Sequence, residues 1–150
     1  MNKEIPSNRS LSSSLLKAAR REEWRYIDGE LIPKLTLVDG NKMVKVLLKR
    51  VGNRNPNIRD LVATCLSHLN ISDQRLILRA IDAMANMASS DQEVFPAGKA
   101  ALFLFNQPVR DDETGVKIKQ ALKIFSRRVI EKDWEEQLRE DISELASLLG

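Results

Sequence analysis

The sequence predicts an all-α protein of stacked antiparallel helical hairpins, and three features of its 150 residues lead to this fold class. Leu, Ile, Val and Ala are plentiful while aromatic residues make up 5% of the chain, a mixture that suits helix packing better than a β-sandwich. Apolar residues recur at helical spacing in segment after segment. Short breaks separate the segments, so we expect about eight helices whose neighbours run antiparallel.

Two segments precede the first regular break in the pattern. The first helix is predicted from an N-cap at Ser10 to about Tyr26, where Asp28-Gly29 interrupts it. A short helix then opens at Glu30 with Pro33 in its first turn, where the missing N–H of proline has no intrahelical partner. Residues 1–9 are predicted to form a flexible arm.

The clearest helices form a hairpin between residues 57 and 90. The first has one apolar stripe, made of Ile58, Leu61, Val62, Cys65, Leu66 and Leu69. The second repeats this spacing with Ile77, Ala80, Ile81, Met84, Ala85 and Ala88. Pro56 stands where the first of these helices begins, and Ser72 is the predicted N-cap of the second.

The remaining helix starts are predicted from capping signals. Asn41 is the expected N-cap of a helix that precedes the hairpin. Ser90 and Glu93 match a capping box for the helix that follows it. The acidic run that ends at Glu113 favours the next helix start, because negative charge interacts well with a helix N-terminus. One last helix is predicted from Trp134 to the end of the chain.

Several turns and helix ends resemble those of HEAT repeats. Asn55-Pro56 followed by Ile58-Arg59 resembles the opening of the family's first helix. Residues 31–35 look like the start of its second helix, and residues 47–51 are similar to the end of one. The resemblance of helix starts and ends covers residues 30–106, and it implies a right-handed array of stacked hairpins with a concave surface for partners. A compact helical bundle is the alternative, because both architectures use the same antiparallel helices.

Length and composition indicate one helical domain over residues 10–150. Apolar residues make up 43% and charged residues 30% of the chain, as in globular rather than disordered proteins. Cys65 is the single cysteine, so an intramolecular disulfide is impossible and a reducing compartment is expected. With no signal-peptide pattern and no long apolar run, we expect a cytoplasmic protein that does not enter a membrane.

The side chains that could carry chemistry are better explained as structural. Cys65 and His68 lie one helical turn apart, as in an activated thiolate pair, but Cys65 belongs to the apolar stripe. No second cysteine or histidine exists to complete a zinc site. The acidic cluster Asp111, Asp112 and Glu113 could bind a divalent cation, yet a charged helix start explains it. We therefore predict neither enzymatic activity nor a cofactor or metal.

The net charge of +3 conceals an asymmetry between the ends of the chain. Residues 1–59 carry 13 Lys and Arg against 6 Asp and Glu, whereas residues 133–150 carry 1 against 6. This asymmetry is compatible with a nucleic-acid-binding face, with a homodimer that associates head to tail, or with ordinary solvated helices.

Basic side chains form the candidate binding surface. One row at helical spacing contains Lys42, Lys45 and Lys49, and a second contains Lys119, Lys123 and Arg127. Cations in such rows can contact phosphates, and arginines beside a tryptophan near residue 24 are typical of binding hot spots. The predicted partner-binding residues are Arg20, Arg21, Trp24, Arg25, Lys42, Lys45, Lys49, Arg50, Lys119, Lys123 and Arg127.

The function predicted from these features is a non-enzymatic protein–protein interaction module, an adaptor or scaffold that presents helix faces to a partner protein. The alternative is a small nucleic-acid-binding protein that uses the basic helix rows. Both hypotheses rely on the same cations, so the placement of those side chains in the fold decides between them.

Overall fold

A computed structural model describes residues 6–149 of the chain, except for the side chains of residues 147 and 148. The described part is all-α and contains no strand, which confirms the predicted fold class. Within it, no helix is both long enough and apolar enough to cross a membrane. The α-helices are α1 (Asn8–Arg20), α2 (Trp24–Tyr26), α3 (Gly40–Leu48), α4 (Pro56–Leu66), α5 (Gln74–Ser90), α6 (Val94–Phe105), α7 (Glu113–Glu131), α8 (Glu135–Asp141) and α9 (Ala146–Leu149).

The chain divides into two compact units, one ending at Ile77 and the other beginning at Leu78. The sequence predicts no boundary at this point, because residues 74–90 have the pattern of one continuous amphipathic helix. The first unit contains 14 Lys and Arg against 8 Asp and Glu, and the second contains 10 against 13. The first unit is therefore basic and the second acidic.

In the first unit, α1 and α3 begin at the same end of the unit, and α4 begins at the opposite end. The side-chain amide of Asn8 donates to the carbonyl oxygen of Asp39 at 3.3 Å, which joins the starts of α1 and α3. The side-chain amide of Asn57 donates to Glu22 Oε1 at 3.3 Å, which joins the start of α4 to the end of α1. Fully buried side chains between these helices include Leu15, Ile27, Leu31, Leu35, Met43, Leu47, Ile58 and Leu61.

The starts of three helices lie one to three residues from the predicted ones. Ser7, not Ser10, is the N-cap of α1, and its hydroxyl accepts from the Ser10 N–H. Asp39 is the N-cap of α3. Asp73 precedes α5, and its carboxylate accepts from the Arg75 N–H at 2.9 Å. The start of α4 at Pro56 agrees with the prediction.

Asn41 and Ser72, the caps predicted for α3 and α5, bond to each other instead. Asn41 Oδ1 accepts from the backbone N–H groups of Ser72 and Asp73 at 3.1 Å, and its amide donates to the Ser72 hydroxyl at 3.0 Å. Gly40 makes this contact possible, since a Cβ there would lie 2.0 Å from the Asn70 carbonyl oxygen. The start of α3 and the loop before α5 are thus held together.

The first helix is shorter than predicted because α1 ends in a Schellman motif. Glu22 adopts a φ of 57°, and its N–H donates to the Ala19 carbonyl at 3.1 Å. The Glu23 N–H donates to the Ala18 carbonyl at 3.0 Å, which completes the motif. The predicted continuous helix to Tyr26 is therefore wrong.

The predicted break at Asp28-Gly29 is also wrong. Helical backbone continues through it as a π-helical turn, Ile27–Leu31, and then as a 3₁₀-helix, Ile32–Leu37, with Pro33 in the first turn. Four apolar side chains of this segment are buried, and their packing outweighs the low helix propensity of glycine. They are Ile27, Leu31, Ile32 and Leu35.

In the second unit, α6 contacts α7, α8 and the C-terminal 3₁₀-turn Ser143–Leu145. Gly98 on α6 allows close approach, because a Cβ there would lie 2.7 Å from a methyl group of Leu138 and 3.0 Å from one of Ile142. The single last helix that the sequence predicts is wrong, since non-helical backbone at Ile142, with φ −133° and ψ 74°, separates α8 from the 3₁₀-turn. Ile142 and Leu145 are both buried, and this packing accompanies the break.

Of the two helix starts that the sequence predicts in this unit, the capping signal of one is confirmed and that of the other is wrong. Asp112 is the N-cap of α7, and its carboxylate accepts from the Gly115 N–H at 3.1 Å, as the acidic cluster predicts. The capping box at Ser90 and Glu93 is absent, because Ser90 is the last residue of α5 and Glu93 makes no side-chain capping bond.

Candidate functional site

The contact between Asn57 and Glu22 brings two predicted clusters to one end of the first unit. Arginines at the end of α1 directly precede Glu22, and Arg54 lies in the loop that leads to Asn57. The predicted binding residues include both groups except Arg54, but the sequence does not indicate that the two groups lie close together. We call this surface the basic end and define it by six side chains. They are Arg20, Arg21, Arg25, Lys49, Arg50 and Arg54.

All six side chains of the basic end are exposed. None of them forms an ion pair or a side-chain hydrogen bond with any residue in the part of the chain that the structure describes. Unpaired like charges repel each other and lower the stability of a compact state. This clustering therefore does not hold the fold together, and the charges are available to an anionic ligand.

The loop that carries Arg54 is fixed by its own hydrogen bonds. Arg59 Nη1 donates to the carbonyl oxygens of Asn53 at 2.9 Å and Arg54 at 3.2 Å. Asn53 Oδ1 accepts from the Asn55 N–H, and Asn55 Oδ1 accepts from the Asn57 N–H, both at 2.9 Å. The role of these residues in fixing the loop was not predicted, although Asn at alternate positions is a signal for such turns. The loop therefore presents Arg54 from a defined position.

Two aromatic residues adjoin the arginines on α2. Trp24 is half-buried, so it contributes to packing as well as to the surface. Tyr26 is 46% exposed. An exposed aromatic ring next to cations can stack on an unpaired base.

The predicted row on α3 is exposed along its whole length. Lys42 lies in the first turn of α3, and Lys49 is the residue at its C-terminal end. Because α3 has 9 residues, these two positions are about 10 Å apart along the helix axis. Only Lys49 therefore belongs to the basic end, while Lys42 lies at the opposite end of the helix and Lys45 between them.

The second predicted row lies on α7 in the second unit. Lys119, Lys123 and Arg127 are exposed and line an open groove of about 540 Å³. The other described residues that line this groove are Val116, Gln120 and Ile124. The groove therefore combines three cations with apolar side chains.

Arg128, beside this row, has a structural role. It is buried, and its guanidinium donates to the carbonyl oxygens of Ala88, at 3.0 Å, and Asp91, near the end of α5. It also lies over the ring of Trp134 at 5.1 Å from the ring centroid. Burial lowers the pKa of the Arg128 guanidinium, while the charges of Asp91 and Glu131 oppose this shift. The late carbonyls of a helix lack intrahelical partners, and Arg128 supplies one.

Cys65 and His68 do not form a reactive pair. Cys65 is fully buried, and burial raises the pKa of its thiol, with a further increase from the negative charges of Asp60 and Asp28. His68 is exposed at the end of α4. A nucleophilic thiolate is disfavoured at this position. Among the described residues, no three His, Cys, Asp or Glu side chains are placed to hold a metal ion.

No family model, curated protein or solved structure matches this chain.

Proposed function

We propose that this protein is a non-enzymatic interaction module and that its basic end binds the phosphate backbone of a nucleic acid. The observation that carries this proposal is the Asn57–Glu22 contact, which brings six exposed and unpaired cations to one end of the first unit. The HEAT-like stacking of hairpins and a cytoplasmic location remain parts of the proposal. A buried, reduced cysteine in a chain without a second one favours such a location.

The surface around the basic end favours phosphates over an acidic protein. Five of its six cations are arginines, whose planar guanidinium groups form paired hydrogen bonds with phosphate and carboxylate oxygens alike, so the residues around them decide which ligand fits. A protein interface requires apolar residues at its centre, with charges around them. The aromatic residues that adjoin the basic end in sequence are Trp24 and Tyr26, and both can instead stack on bases.

The test is a fluorescence-anisotropy titration of the full chain with labelled single-stranded RNA, single-stranded DNA and duplex DNA of about 20 nucleotides. The low-salt titration is made at about 50 mM KCl, where phosphate contacts are strongest. We expect binding by the wild-type chain. We expect the variant Arg21→Gln with Arg54→Gln, one change in each cluster, to bind at least about tenfold more weakly.

A matched control removes the same charge from the opposite end of the same unit. Arg9 and Arg75 are exposed, and they lie beside Asn8 and Asp73, which contact the start of α3. The variant Arg9→Gln with Arg75→Gln should keep its affinity within about twofold of the wild type. Equal losses in both double variants would indicate a general charge effect and contradict a site at the basic end.

A further inference from the structure

We infer that the exposed face of α7 binds an acidic amphipathic helix of a partner protein. This surface belongs to the second unit and is independent of the nucleic-acid site proposed for the first. We call it the α7 face and define it by seven side chains. They are Val116, Lys119, Gln120, Lys123, Ile124, Arg127 and Ile130.

The α7 face lies opposite the side of the helix that packs into the core. Its members recur every three or four positions, as residues on one side of a helix do. The buried stripe of the same helix contains Ile118, Ala121, Phe125 and Val129. On the α7 face, Val116 is 65% exposed and Ile130 is 78% exposed. Branched apolar side chains therefore remain uncovered at both ends of a basic row.

The cations of the α7 face have no acidic partners among the residues that the structure describes. Lys117 provides the contrast, because it lies on a neighbouring side of the helix and pairs with Asp82. Consecutive cations of the row are four residues apart, about 6 Å along the helix axis. A ligand that satisfies them must carry negative charges in a line with the same repeat.

An acidic helix meets this requirement and also covers the apolar residues. Glu or Asp at every fourth position repeats at the same 6 Å interval, and an adjacent stripe of Leu or Ile can contact Val116 and Ile130. Recognition of an amphipathic helix along a groove is a common mode of peptide binding. Outside the α7 face, acidic side chains outnumber basic ones in the second unit. An acidic ligand is therefore attracted to the α7 face and repelled by the rest of this unit.

Two other occupants fit the α7 face less well. The Asp and Glu side chains of the second unit would repel the phosphates of a nucleic acid, and Val116 and Ile130 would remain uncovered. A second copy placed about a two-fold axis would bring the centres of the two faces together. Lys123 lies at that centre, so the lysines of the two copies would oppose each other. An acidic helix avoids both conflicts.

The experiment uses the full chain and a labelled peptide of about 18 residues, which is long enough to form a helix. The peptide carries Glu at every fourth position beside a stripe of Leu, and a peptide of identical composition in scrambled order is its control. We expect the ordered peptide to bind at micromolar concentration and the scrambled one about tenfold more weakly. Equal binding of the two peptides, or no binding, would overturn the inference.

Variants locate the peptide on the protein. Lys119→Gln with Lys123→Gln should weaken peptide binding by at least about tenfold, and Val116→Ser should weaken it by a few fold. The matched control, Lys117→Gln with Arg79→Gln, removes the same charge elsewhere in the second unit and should change affinity less than about twofold. A control variant that loses as much affinity as the test variant would contradict the assignment.

Two further outcomes would assign the α7 face to a different occupant. Light scattering that detects a dimer of the wild type, abolished by Lys119→Gln with Lys123→Gln, would assign the face to a second copy. Duplex DNA that displaces the peptide from the Arg21→Gln with Arg54→Gln variant would assign it to nucleic acid. Because that variant lacks two cations of the basic end, this result is distinguishable from failure of the first proposal.

Discussion

Two acidic residues, Glu22 and Asp133, adopt left-handed backbone conformations at the ends of α1 and α7, each with a φ of 57°. The second end repeats the Schellman pattern, because the N–H groups of Asp133 and Trp134 donate to the carbonyls of Ile130 and Val129. This conformation costs an L-residue about 1–2 kcal/mol. Glycine is the usual residue there, so the sequence carries no signal for either helix end.

We expect Asp133→Gly to stabilise the protein, because its side chain makes no hydrogen bond or ion pair with another described residue that the change would remove. Glycine adopts the required conformation without a Cβ penalty, and the gain exceeds its extra entropy in the unfolded chain. The free energy of unfolding should rise by up to about 1 kcal/mol, measured by urea denaturation followed by circular dichroism. Glu23→Gly is the control, because Glu23 has a φ of −84° and replacement by glycine there should destabilise. A loss of stability in Asp133→Gly would contradict the assigned conformation.

The buried thiol of Cys65 makes stability depend on alkaline pH. Its pKa is raised in the folded chain above the ordinary 9.0, so above that value the unfolded chain binds fewer protons than the folded one. Stability should therefore fall as pH rises above about 9, by on the order of 1 kcal/mol at pH 10. The Cys65→Ala variant lacks this group, so urea denaturation at pH 7 and pH 10 should show a smaller decrease for it. Parallel decreases would indicate that the thiol is not buried.

At the level of helices, two glycines allow a backbone carbonyl to approach. A Cβ on Gly40 would lie 2.0 Å from the Asn70 oxygen, and one on Gly115 would lie 2.0 Å from the Arg110 oxygen. We expect Gly40→Ala and Gly115→Ala each to lower the free energy of unfolding by about 1–3 kcal/mol, because backbone must move. Gly52, with no atom within 4 Å of such a Cβ, is the control, and Gly52→Ala should leave stability nearly unchanged. Similar values for all three would refute the close approaches.

Periodicity and capping signals in the sequence predicted a helix correctly where both indicate the same boundary. The apolar stripe of α4 and its start at Asn55-Pro56 agree in sequence and structure, since periodicity and capping point to the same residue there. Asn41 and Ser72 received the wrong roles because their hydrogen bonds join positions 31 residues apart. Caps of that kind depend on which loop lies next to the helix, and no local pattern specifies this.

The whole chain separates its charge between two units, and the candidate sites follow that separation. The sequence identified the arginines, yet the basic end exists because Asn57 and Glu22, 35 residues apart, are in contact. In the sequence, Arg59 and Arg128 resemble the exposed arginines next to them. In the structure, Arg59 holds a loop and Arg128 binds the end of α5. Exposure, and not residue type, separates the candidate binding cations from the structural ones.

Together the two proposals predict a protein that joins a nucleic acid to a partner protein. In them the basic end of the first unit contacts phosphates, and the α7 face of the second unit offers a basic and apolar strip to a partner. The adaptor role and the nucleic-acid role predicted from the sequence are thereby proposed for different surfaces of one chain. Different substitutions alter the two surfaces, so nucleic-acid binding and peptide binding can be removed in separate variants.

The most direct test of nucleic-acid binding is the salt dependence of the affinity for duplex DNA, measured by anisotropy between about 50 and 200 mM KCl. Six phosphate contacts predict a slope of log K against log salt of about −5, and Arg21→Gln with Arg54→Gln should make it shallower by about 2. A slope near zero, or a slope that the double variant leaves unchanged, would contradict the claim that the basic end binds the phosphate backbone.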